Sequence, residues 1–163
     1  MDYYDKLRYE VKQFNYGLEK NSIDLTRSID LKQSRKELKK KLALYSLASS
    51  NPYSPLGLIF TSSEDALRRG YSVGMRAGFG NVIEILNNAI KYAWGIELVE
   101  REVSNLIFNR MEQLKTVQED HDDRKLKKIY QEMAFVSEVH FLMLSWRILF
   151  YKDQQLKDYL ANW

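Results

Sequence analysis

The chain has no cysteine, only two prolines, two histidines and seven glycines among its 163 residues. Without cysteine there can be no disulfide, no thiolate metal site and no thiol nucleophile, which fits a reducing interior. Two histidines leave zinc chemistry little to use. Both prolines fall within residues 49 to 55 (Ser-Ser-Asn-Pro-Tyr-Ser-Pro), so the remaining chain is free of the strongest helix breaker. The opening residues Met-Asp-Tyr-Tyr-Asp-Lys contain no apolar core of a secretory signal. An intracellular, cytoplasmic location is therefore expected. Alternation with a period of two is absent over any useful length, and so is an Asn-Gly hairpin signal, which leaves strands without support.

What is present suits a folded helical chain. Apolar residues make up 45% and charged residues 29%, a mix that buries a core and argues against disorder. Tyr4, Leu7, Val11, Phe14 and Leu18 follow a 3,4 spacing that predicts a first helix over residues 2 to 20. A second is expected from Asp24, carrying Leu25, Ile29, Leu31, Leu38, Leu42 and Tyr45, after a break near residues 21 to 24. Thr61-Ser-Ser-Glu64 or Ser62-Ser-Glu-Asp65 supplies a helix cap, and a third helix follows to about residue 94. Trp94-Gly95 marks a kink, and Val99, Val103, Leu106, Leu114 and Val117 carry helix to about 118. The last helix, entered from Leu126, is expected to run to Leu160. At 1.5 Å per residue it would extend roughly 60 Å, against roughly 40 Å for a compact chain of this size. The fold class predicted is all-α: an elongated bundle of four to five helices with long N- and C-terminal helices, expected to be oligomeric. It forms a single domain over residues 1–163, with an N-terminal helical arm or hairpin (1–50), a proline-containing connector (51–62) and a helical core (63–163).

Within the third helix, Gly70, Gly74 and Gly78 recur every four residues, flanked by Ala66, Ala77 and Asn81. Each interior glycine costs a helix roughly 1 kcal/mol relative to alanine. Backbone approach of another helix along Gly70, Gly74, Ala77 and Gly78 is the expected compensation, with Met75, Phe79, Val82, Leu86 and Ile90 facing the other way. A phosphate cradle is disfavoured, because neither a Gly-Lys-Ser/Thr ending nor a preceding strand is present.

Two further groups are candidates for binding. Six of the ten residues from 32 to 41 are basic. Arg27, Lys32, Arg35, Lys36, Lys39 and Lys40 form a stripe that could neutralise phosphates, with Arg68, Arg69 and Arg76 as candidate extensions. His140, Arg147 and Gln154 recur every seven residues as a polar line in an otherwise apolar helix, with Glu84 or Glu97 as the expected partners of a buried network. Charged residues inside the apolar stretch 133 to 151 argue against a membrane span. Neither Glu138-Val-His140 nor Asp120-His-Asp-Asp123 has the pattern of a metal site, and no catalytic, metal or cofactor residues are expected. The functional expectation is a non-enzymatic, self-associating protein–protein interaction protein, serving as assembly subunit, adaptor or inhibitor, with a nucleic-acid-binding or packaging role at residues 27–41 as the alternative.

Overall fold

The computed structural model describes residues 2–26, 29–49, 59–120 and 125–162. The described residues form seven helices: α1 (Tyr3–Gln13), α2 (Tyr16–Lys20), α3 (Leu31–Ala48), α4 (Ser63–Lys91), α5 (Ile96–Glu119), α6 (Lys125–Phe150) and α7 (Asp153–Ala161). The all-α class is as expected. Seven helices replace four or five because both terminal segments break where a long rod was anticipated.

The first break follows Gln13. Phe14 turns extended and Asn15 caps α2 by accepting from the Leu18 amide at 3.3 Å. The apolar seam therefore stops inward at Phe14, and Leu18 is left 68% exposed. Residues 24–26, 29 and 30 are not helical: Thr26 donates to the Asp24 carboxylate, and Asp30 caps α3 at the Gln33 amide. The second break is at Tyr151, which forms a single β-bridge with Ile23, while the Asp24 amide donates to the Phe150 carbonyl at 3.1 Å. A chain segment from the N-terminus thus takes up the end of α6. The 26 residues of α6 extend about 39 Å, so the length mismatch disappears.

Helix α6 is the hub. Every residue from 136 to 150 is buried, as a helix apolar on all sides must be. It packs chiefly on α4, then on α5 and α1, while α3 lies on α4. Leu7, Val11, Phe14 and Leu38 join the same buried cluster as Phe79, Phe141 and Trp146, so residues 1–50 help to close the core. By length and composition α6 could cross a membrane, yet 83% of its most apolar 18-residue window lies inside the fold.

Of the two possible frames, Ser62 caps α4 by accepting from the Asp65 amide, and the Asp65 carboxylate accepts from the Thr61 amide. The helix closes at Lys91, and the left-handed turn residue is Ala93 (φ 53°) rather than Gly95, which precedes α5 in extended geometry.

The glycine strip lies against α6 of the same chain. A β-carbon at Gly70 would sit 2.6 Å from the Tyr130 carbonyl oxygen, and one at Gly78 would sit 2.8 Å from Phe141 Cβ. At Gly74 it would overlap the Ala134 carbonyl and approach the Glu138 amide to 2.7 Å. Ala77 is only half-buried at the edge of this seam. Ser137 on α6 adds a hydrogen bond to the Tyr71 carbonyl at 2.7 Å. By contrast, nothing lies within 4 Å of a β-carbon at Gly80.

Gly74→Ala should therefore destabilise the fold by about 1–3 kcal/mol through overpacking, whereas Gly80→Ala should stabilise it by up to about 1 kcal/mol through helix propensity. Denaturant unfolding of the two variants checks the contrast; equal stability of Gly74→Ala and the parent would contradict the backbone contact.

Candidate functional site

Helix α3 is anchored by a narrow inward line, with Leu38 fully buried and Leu31, Leu42 and Tyr45 partly so. At 100° per residue the opposite side gathers Lys32, Lys36, Lys39, Lys40, Ala43, Leu44 and Leu47 on one face. All seven are exposed. Among the described residues no ion pair engages the four lysines, and Glu37, the one acid on α3, accepts a long 3.5 Å bond from Gln33. Arg35 is half-buried and donates to the Asn87 side chain of α4 at 2.8 Å. Together with the lysines it borders a shallow depression of about 560 Å³. Arg27 lies outside the described residues.

The suggested helpers do not extend this stripe as a group. Arg69 is buried, stacks 4.6 Å above the Phe60 ring and donates to the Ile59 carbonyl. Arg68 pairs with Glu64 at 2.6 Å, and Arg76 donates to Ser72. Leu44 and Leu47 were not singled out from the sequence, and they are 66% and 87% exposed. The available signal was their phase: they continue the lysine face and not the line of Leu38, Leu42 and Tyr45.

The polar line on α6 resolves differently from the expectation. His140 is 2% exposed, with Nδ1 at 3.3 Å from the Glu10 carboxylate of α1. Burial, reinforced by the charges of Arg147 and Lys6, drives its pKa down to about 3, so the imidazole is neutral. Arg147 meets both Glu19 carboxylate oxygens (2.8 and 3.4 Å), donates to the Tyr159 hydroxyl at 2.7 Å, and stacks over the Tyr159 and Phe14 rings. Burial opposes this charge, but the Glu19 bonds more than offset it and hold the guanidinium pKa above its ordinary value. The Tyr151 hydroxyl also bonds Glu19, and burial first, then that bond, pushes its pKa up to about 12. Gln154 is not in the network: the break at Tyr151 places it on exposed α7, bonded to Asp158. Glu84 and Glu97 are exposed as well, so the acids of this network are Glu10 and Glu19.

The cluster is a clasp joining α1, α2, α6 and α7. Its cavity, beside Tyr3, Lys6, Glu10 and His140, measures about 20 Å³, enough for one water and no more. A second pair, Arg110 to Glu138 at 2.7 Å, ties α5 to α6; burial raises the Glu138 carboxyl pKa and Arg110 partly counters it. Glu138 and His140 therefore serve different partners. No three of His, Asp and Glu are grouped for a metal among the described residues.

A larger cavity, about 650 Å³, opens between α1, α3 and α4. Among the described residues its walls are Tyr3, Tyr4, Tyr45 and Tyr71, with Ala48, Ser49 and Arg68 beside them. The Tyr3 and Tyr71 hydroxyls are 3.2 Å apart, and Tyr71 packs edge-on to Phe141 at 5.7 Å. Burial raises the pKa of all four phenols, so at neutral pH they are uncharged. These tyrosines come from three helices, and no spacing within the sequence brings them together.

Comparison with protein families, curated proteins and solved structures gives no match to this chain.

The His140 environment carries a pH signature. Between about pH 6.5 and 3 the unfolded chain takes up a proton that the folded imidazole refuses, so this residue makes stability fall as pH drops through that window. Glu138, with its pKa raised, contributes in the opposite sense. His140→Gln should flatten the fall in denaturation midpoint between neutral pH and about pH 4; parallel pH profiles for variant and parent would show that the imidazole is not held neutral.

Proposed function

We propose that this is a non-enzymatic, intracellular interaction protein whose outward α3 face docks an acidic partner protein with an apolar patch. The observation that carries this reading is the sharing of one face by four lysines and the exposed Leu44 and Leu47. A polyanion would engage the lysines and leave both leucines in water. A protein partner can meet both halves, and each leucine fully buried contributes about 1.5–3 kcal/mol. Lysines steer and select the partner, and the leucines hold it.

Two features that suggested self-association are satisfied inside one chain: the glycine strip by α6, and the C-terminal rod by its break at Tyr151. A second copy on the α3 face would bring two lysine rows together with only Glu37 to answer them. A distinct acidic partner fits better than a homo-oligomer. Nucleic acid is the second reading, supported by the lysines alone.

Quantitative co-purification with two paired variants tests the assignment. Lys36→Glu/Lys39→Glu and Leu44→Ser/Leu47→Ser should each reduce recovery of the same protein partner by about tenfold or more. Recovery unchanged by both would remove the reading. Loss with the lysine pair alone, with DNA or RNA as the retained species, would establish the alternative.

A further inference from the structure

The tyrosine-walled cavity shares no lining residue with the α3 docking face. Its volume, about 650 Å³, falls within the roughly 300–1,000 Å³ typical of small-ligand sites. The walls supply aromatic rings, which favour flat unsaturated ligands through offset or edge-to-face contact. The rings are already fixed against one another: Tyr3, Tyr4 and Tyr71 form a mutual edge-on set with centroids 5.6 to 6.2 Å apart, and Tyr45 is held by Phe79 and Phe141. Little ordering is left for a ligand to impose.

Among the described residues, the charged side chain of the lining is Arg68. Its guanidinium is positioned by Glu64. Both members of the Arg68–Glu64 pair are more than half exposed. Such a pair contributes little to stability, and an incoming anion can replace its acid at small cost. Ser49, hydrogen-bonded within reach of Ser72, adds a hydroxyl to the same wall. Among the described residues, neutral phenols, one exchangeable guanidinium and no carboxylate in the lining define the complementary chemistry.

We infer that this cavity binds a free small molecule made of a flat aromatic ring system bearing one phosphate or carboxylate. The ring lies among Tyr4, Tyr45 and Tyr71, and the anion takes Arg68 from Glu64.

Calorimetric titration with 1-naphthyl phosphate tests this, with 1-naphthol and inorganic phosphate as its two halves. Saturable one-to-one binding is expected, with each half weaker by about tenfold or more. Arg68→Ala should weaken binding by a similar factor, and Glu64→Gln should tighten it severalfold by releasing the guanidinium. Both are surface changes, and circular dichroism verifies that each variant is folded. Absence of saturable binding, equal binding of inorganic phosphate and the naphthyl ester, or Arg68→Ala and Glu64→Gln that fail to move affinity in opposite directions would each overturn the assignment.

Discussion

Everything in this structure is built around the close approach of two backbones. Gly70, Gly74 and Gly78 on α4 face Tyr130, Ala134 and Glu138 on α6 with the same four-residue step, so the two helices match along their length. The absence of side chains allows the contact, and the contact in turn repays the helix propensity lost at three positions. Dispersion and exclusion of water along the seam then supply stabilisation that a bulkier interface would forfeit.

With α4 fixed so closely, α6 becomes a rod that must be covered on its other sides. Helix α5 covers one flank through Val99, Val103 and Ile107, and α1 covers another through Leu7 and Val11. The polar residues of α6 are reconciled with burial by partners brought from other helices: Glu10 to His140, Glu19 to Arg147, and Arg110 to Glu138. Removing one member of such a pair is costly because the other stays buried. These pairs also determine where the flanking helices sit, since α1, α2 and α5 each carry a partner to the hub. The outer face of α3 has no such obligation, which is why lysine and leucine can occupy it together.

How much of this was legible in the sequence depended on the range of the interaction. The helical class, the three central helices and the small-residue strip followed from periodicity and composition, both local signals. That the strip meets α6 of the same chain did not follow, because a glycine spacing shows what can approach but not which helix does. The break after Phe150 was hidden for a related reason: neither Pro nor Gly marks it, and Asp24 satisfies the freed carbonyl from far away in sequence. That break also removed Gln154 from the polar line. Among the sites, the lysine stripe was legible because it is confined to one helix. The tyrosine cavity and the Glu10 and Glu19 partners were not, since each depends on side chains from separate elements. Leu44 and Leu47 could have been found by phase alone, had the lysine face been followed one turn further.

Native-state hydrogen exchange is the most direct test of the α4–α6 seam as the organising contact. If the seam holds the fold together, amides of residues 70 to 86 and 133 to 149 will be the slowest in the protein and will open as one unit at the global unfolding free energy. Helices α2 and α7, with no fully buried residue, will exchange earlier by local opening. Exchange of α6 ahead of α4, or a slowest unit that excludes either stretch, would contradict the account.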